Sequence, residues 1–251
     1  MYKIPAKTLF LGKNLIFVPQ CHSTNDLALR HCQENDWLEG TVIITDNQTA
    51  GRGQRGNSWL TEPAKNLTFS FMIRPSFLTV KEQFYLTIFV SLGIYDYVTE
   101  KTDKKVHIKW PNDILVDDRK ICGVLIENQL SGNRLETTVI GIGLNINQQQ
   151  FDAGTPTSLS MITHQRYLLS DELNLLLQKL ERRYLQLKER KLDRLKDDYL
   201  NALYRIGEDH TFVIAAGEAK GRITGIDELG RLSVMFDEQR KSFDVKEIKF
   251  V

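Results

Sequence analysis

Apolar and polar positions alternate along the chain with periods that change from segment to segment. Leu15-Ile16-Phe17-Val18 predicts a short strand. Ser23-Thr24-Asn25-Asp26 then precedes the periodic Leu27, Ala28 and His31, and small polar residues in that place cap helices. Thr41 to Thr45 is apolar and β-branched, which predicts a buried strand. Leu67, Phe69, Phe71 and Ile73 alternate with small or polar residues and predict a half-buried strand. A helix is expected at about 82–100. Val106, Ile108 and Trp110 alternate again, and Ile114 to Ile126 reads as a hairpin turning at Asp117-Asp118-Arg119. Ser131-Gly132-Asn133 marks a further turn, and Val139 to Ile146 a further strand. From Ser170 to Glu189 the period becomes helical. Leu173, Leu176, Leu177, Leu180 and Tyr184 line one face, with Asp171 and Glu172 in the first turn, where the helix dipole favours acids. Charge-rich helix continues to about Tyr204. Beyond it, short strands punctuated by Gly217, Gly221, Gly225 and Gly230 suggest a small β-barrel.

This order predicts an α+β fold: a mixed, antiparallel-rich sheet flanked by helices, without the regular β-α-β alternation of a doubly wound domain. The change in character near Gly207 divides the chain into 1–206 and 207–251. At 251 residues, 41% hydrophobic and 26% charged, the composition is that of a folded globular protein. The net charge of +1 gives no sign of a dedicated nucleic-acid binder. Cys21, Cys32 and Cys122 are odd in number and show no Cys-x-x-Cys spacing, so neither a disulfide framework nor a structural metal is expected, and a reducing cytoplasm fits. The five histidines make no ligand pattern. Phe84 to Val98, the most apolar stretch, is too short and too polar to span a bilayer, and no membrane partner is expected.

Four segments carry candidate chemistry. Gly51-Arg52-Gly53-Gln54-Arg55-Gly56 has the form of the dinucleotide fingerprint, but that fingerprint needs a helix after it, and here Asn57 to Pro63 leads into a strand. What remains is a glycine loop with two arginines. Glycine lets the backbone approach a ligand closely, and the arginine fork suits carboxylates and phosphates. A plain surface loop is the alternative. Lys109-Trp110-Pro111-Asn112-Asp113 is either a turn or a place where Asn112 and Asp113 meet a ribose, a base or a magnesium-bound phosphate. Lys120 opens the run Ile121 to Glu127 and is either a hairpin-edge lysine in water or the partner of a bound anion. Gly141-Ile142-Gly143-Leu144-Asn145 places glycines in a strand, which marks a bulge or close approach of a ligand.

Taken in order, Ser23-Thr24-Asn25, Gln48-x-x-Gly51-Arg52-Gly53, Lys109-Trp110-Pro111-Asn112-Asp113, Arg119-Lys120-x-x-Gly123 and Gly141-x-Gly143-x-Asn145 closely resemble the biotin protein ligase family over about residues 15–150. The resemblance implies a class II synthetase-like catalytic domain at 1–206 and an SH3-like C-terminal domain at 207–251. It implies an enzyme that joins biotin to AMP using ATP and passes the biotinyl group to a lysine of a biotin carboxyl carrier protein. It assigns biotin to Ser23, Thr24, Asn25, Gln48, Gly51, Arg52, Gly53, Gln54, Lys120 and Gly123. The nucleotide falls to Arg55, Trp59, Asn112 and Asn145, magnesium to Asp113, and catalysis to Arg52 and Lys120. Gln54 stands where the family often has a second arginine. Cys122 is read as packing.

Biotin carboxylate and α-phosphate are both anions, so the reaction needs cations aimed at the charge that develops between them. A lipoate or octanoate ligase of the same fold and a non-catalytic biotin-binding protein are the rival readings. The Gly-Arg-Gly and Trp-Pro-Asn-Asp segments favour biotin. A DNA-binding repressor is not expected, since only about 14 residues precede the first strand. Monomer and homodimer both stay open.

Overall fold

In the computed structural model the described residues are 7–34, 37–53, 58–151 and 156–251. A seven-stranded sheet has the order β1-β2-β3-β7-β6-β5-β4. Its strands are β1 (Leu15–Cys21), β2 (Val42–Gln48), β3 (Leu67–Ile73), β4 (Val106–Lys109), β5 (Asp113–Val116), β6 (Arg119–Ser131) and β7 (Arg134–Leu144). The β1–β2 pair is parallel and every other neighbouring pair is antiparallel. The expected antiparallel-rich mixed sheet is therefore present, with its hairpin turns at Asp117–Asp118 and Gly132.

Five helices accompany the sheet among the described residues: α1 (Thr24–Glu34), α2 (Phe84–Lys101), α3 (Leu159–Thr163), α4 (Leu169–Lys188) and α5 (Leu192–Asn201). α2 packs on α4, α5 and strands β4 to β6, and covers one face. Phe69, Phe71, Ile140 and Ile142 point into that core with Ile88, Phe89, Leu176 and Leu180. α1 lies over the other face, where Ala28 meets Ile43, Met72 and Val139. β3 is thus buried along its whole length, not half-buried as its alternation predicts. Period-2 alternation reports two different environments, and here the second is a helix and a cavity wall. The helical segment after α4 does not run on: the chain breaks at Arg190, which has a left-handed φ of 58°, and restarts as α5.

Residues after Gly207 form a second, antiparallel sheet of order β11-β10-β9-β8-β12, built from β8 (Asp209–Ile214), β9 (Gly217–Ile226), β10 (Leu232–Phe236), β11 (Gln239–Phe243) and β12 (Ile248–Phe250). The sheet agrees with the expected SH3-like unit, and strand pairing does not join β11 to β12 among the described residues. Contacts next to β4 seat this sheet against the larger one: Trp110 Nε1 donates to Gly230 O at 2.9 Å, and Lys109 Nζ lies 5.0 Å from the Phe250 ring centroid.

Candidate active site

Sheet register creates the site. Thr68 and Ser70 on β3 are opposite Gly143 and Gly141 on β7, and Gly143 is opposite Gly123 on β6. All five project to the α1 face, so a patch in the middle of the sheet carries only hydroxyls or no side chain. The glycines are required there. A Cβ on Gly141 would lie 2.2 Å from Asn25 Oδ1, and one on Gly143 would lie 2.2 Å from Trp59 Nε1. A Cβ on Gly123 would lie 2.9 Å from the same indole. Trp59 therefore rests flat on the bared strands, and its Nε1 is buried without a hydrogen-bond partner among the described residues. An orphaned donor of that kind costs about 1–3 kcal/mol.

Above this patch is a cavity of about 500 Å³ lined by segments far apart in the chain. Ser23 starts α1 and caps it weakly, accepting from Asp26 N at 3.4 Å. Thr24 N donates to Gln48 Oε1 at 2.9 Å. Ser70 Oγ bridges Thr24 Oγ1 at 2.7 Å and Asn25 Oδ1 at 2.6 Å. Asn25 Nδ2 in turn donates to Glu127 at 2.7 Å. Apart from Arg52, whose charge is met by Asp26 and Glu127, this end of the cavity is neutral and closely hydrogen-bonded, with Ser23, Thr24 and Asn25 each 3% exposed.

The opposite end is charged. Lys120 Nζ lies 2.7 Å from Asp113 Oδ1 and 5.5 Å from the Trp59 ring centroid. The lysine thus has a partner, but an exposed one: its side chain is 38% accessible. Asn112, 2% exposed, is fixed by its own Nδ2 bond to Val124 O at 3.1 Å. Lys109, Lys246, Lys249 and Phe250 close the wall, with Lys109 Nζ 5.0 Å from the Phe250 ring centroid. Five cations (Arg52, Lys109, Lys120, Lys246, Lys249) but a single acid, Asp113, line the cavity among the described residues. Near this wall, burial first and then the charge of Arg205 hold the His210 imidazole below its ordinary pKa.

Of the residues singled out from sequence, Ser23, Thr24, Asn25, Gln48, Arg52, Gly53, Trp59, Asn112, Asp113, Lys120 and Gly123 all line this cavity. Gly51 does not, but its Cα is wedged between Trp59 O and Gln48 Nε2, where no Cβ fits. Asn145 also lies off the cavity. Its Nδ2 donates to Thr157 O at 3.0 Å and its Oδ1 is buried without a partner. Its visible work is to hold the 157–159 segment against β7. Gln54 and Arg55 fall outside the described residues. Cys122 is fully buried, which pushes its thiol far above the ordinary range and suits packing. Sequence reading missed Thr68, Ser70, Asp26, Glu127, Lys109 and the 245–250 segment. The alternation of Thr68 and Ser70 with large apolar residues was the available signal for the first two.

Sheet, cavity and appended strands together define a ligase-type α+β domain. The model of the Biotin/lipoate A/B protein ligase family matches residues 17–145, more than half of the chain, and the chain belongs to that family. It is 29% identical over 237 residues to the bifunctional ligase/repressor BirA of Bacillus subtilis, covering 92% of this chain and 72% of that protein. It is 28% identical over 238 residues to the biotin–[acetyl-CoA-carboxylase] ligase of Paracoccus denitrificans, covering 91% and 97%. Among solved structures, the Aquifex aeolicus biotin protein ligase in complex with biotin and ATP superposes with a TM-score of 0.78 at 27% identity, over 95% of this chain and all of that one. No helix among the described residues is long and apolar enough to cross a membrane.

Proposed function

We propose that the protein is an ATP-dependent biotin protein ligase, with residues 1–206 as the biotin- and nucleotide-binding domain and 207–251 as an SH3-like domain that closes one wall of the site. The observation that carries the reading is the single cavity lined by Ser23-Thr24-Asn25, Gln48, Arg52, Asn112-Asp113 and Lys120. Its neutral end suits an uncharged hydrogen-bonding head group, and its cationic end suits a carboxylate facing a phosphate chain.

Biotin lies with its ring system against the Ser23-Thr24-Asn25 frame and its carboxylate toward Lys120. A carboxylate oxygen attacks the α-phosphorus, the bond to the β-phosphate oxygen breaks, and pyrophosphate leaves with the electron pair. Lys120 and Arg52 neutralise the repulsion between the two anions and the charge that develops in flight. Lys109 and the C-terminal lysines face the departing pyrophosphate. In the second step the amine of an acceptor lysine attacks the acyl carbon and displaces AMP, so no protein nucleophile is required. The acceptor is a biotin carboxyl carrier protein. No group of three or more His, Cys, Asp or Glu able to hold a metal occurs among the described residues. Asp113, paired here with Lys120 at 2.7 Å, is the carboxylate that would help hold a nucleotide-bound magnesium ion, which would supply neutralising charge for the leaving pyrophosphate. The absence of a DNA partner and a cytoplasmic location belong to the same proposal.

Mass spectrometry of the purified protein incubated with biotin, Mg²⁺ and ATP tests the reading. Biotinyl-AMP is the expected product. Adenylate formed only from lipoate or octanoate, or from no acid at all, overturns it.

A further inference from the structure

Arg52 is tied down more firmly than an exposed loop arginine needs to be. Its Nη2 lies 2.6 Å from Asp26 Oδ1 and 2.9 Å from Glu127 Oε2. Glu127 is the more buried of the two acids, its side chain 26% exposed against 45% for Asp26. The same Glu127 oxygen accepts from Asn25 Nδ2 at 2.7 Å. Asn25 is buried, fixed from below by Ser70 Oγ and pressed against Gly141. A continuous chain therefore runs from Ser70 through Asn25 and Glu127 to Arg52 and Asp26. It links the floor of the neutral end to the glycine segment. All of Arg52's hydrogen bonds among the described residues fall on Nη2, while a guanidinium has five N–H donors. The acids thus orient the fork and leave the rest of it for an incoming anion.

We propose that Glu127 is a positioning residue for the ligation reaction. It holds Arg52 in register with the Asn25 amide, so that the remaining N–H groups of the arginine hold the bound adenylate and retain that intermediate until the acceptor amine arrives. The proposal rests on the functional reading above. Glu127 touches neither reacting atom; it acts through Arg52.

The test is a double-mutant cycle with Glu127→Gln and Arg52→Gln. Glutamine still offers Asn25 an acceptor but withdraws the charge that fixes Arg52. The readout is the biotinyl-AMP that escapes into an ultrafiltrate during turnover with biotin, Mg·ATP and pyrophosphatase. E127Q is expected to raise escape about 10-fold, equivalent to about 1.4 kcal/mol. The kcat for pyrophosphate exchange should change less than the biotin KM. The double variant should match R52Q within about twofold. Escape at the wild-type level in E127Q, or multiplication of the two single effects in the double variant, overturns the proposal. If E127Q does not fold, E127D runs the same cycle, because its shorter arm also withdraws from Arg52. A second readout is independent of activity. The side-chain Nε–H resonance of Arg52 in ¹⁵N-labelled protein should shift in E127Q, and an unmoved resonance overturns the anchoring. Absence of any adenylate from the wild type would instead refute the functional reading, with the resonance still reporting on Glu127.

Discussion

The two ends of the cavity solve different problems with different side chains. At the neutral end, Thr24, Asn25, Ser70 and Gln48 already satisfy one another at 2.6–2.9 Å, so a ligand enters a prepared hydrogen-bonding frame. At the charged end, Lys120 and Asp113 are partly exposed and paired only with each other at 2.7 Å among the described residues. Exposed pairs of this kind contribute little to stability, so the lysine is inexpensive to redirect. Neutral groups preorganised in a dry frame give selectivity, because a wrong head group leaves buried partners unmet. Cations give rate, because they act on charge that exists only during reaction. The site therefore separates recognition from catalysis in space, and substitutions at the two ends should separate KM from kcat.

The largest effect is expected at the charged end. Lys120→Ala should lower the kcat of biotin-dependent pyrophosphate exchange about 100- to 1,000-fold, with biotin affinity in the absence of nucleotide nearly unchanged. Circular dichroism should show the fold intact. Near-normal exchange would remove Lys120 from the mechanism.

At the neutral end, Gly141→Ala puts a methyl group 2.2 Å from Asn25 Oδ1. Either the helix start shifts or Asn25 gives up its bond to Ser70. One lost buried hydrogen bond amounts to about 1–3 kcal/mol, so the biotin KM should rise roughly 10- to 100-fold, with kcat at saturating biotin falling much less. Equal losses in KM and kcat, measured by steady-state exchange, would erase the distinction between the ends.

The same contrast explains what the sequence made legible. The elements of the larger domain could be read because each carries its own local pattern, the apolar β-branched run of Thr41–Thr45 for a buried strand and the Leu173–Tyr184 face for a helix. The charged end was half legible, since Lys120 and Asp113 stand in tight local motifs. Lys109 and Lys249 belong to the same wall but are separated by 140 positions, and tertiary contacts such as Trp110 on Gly230 bring them together. The neutral end depended on register. Ser70, Gly141 and Asn25 meet because β3 pairs with β7 in one phase and α1 crosses above them, and no local pattern encodes that phase. Glu127 was visible as the last residue of an apolar run, yet its two partners come from α1 and the glycine segment. Asn145 lies off the cavity, its Nδ2 donating to Thr157 O while its Oδ1 has no partner among the described residues.

The smallest functional effect is expected far from both ends, which makes it the control for the comparison. Glu181 on α4 is 5% exposed and accepts the backbone N–H groups of Leu9, Phe10 and Leu11 at 2.7, 2.8 and 2.9 Å. A carboxylate that gathers three consecutive amides replaces water for donors that otherwise lack partners. Glu181→Ala strands those donors beside the buried Leu11, at a cost of about 2–3 kcal/mol. For a chain of this size that is a fall in Tm of roughly 5–10 °C. Neither the biotin KM nor the exchange kcat should move at a temperature well below the transition. If Glu181→Ala raised the biotin KM as Gly141→Ala does, general loosening of the fold would account for both, and the neutral end would lose its claim to a specific role.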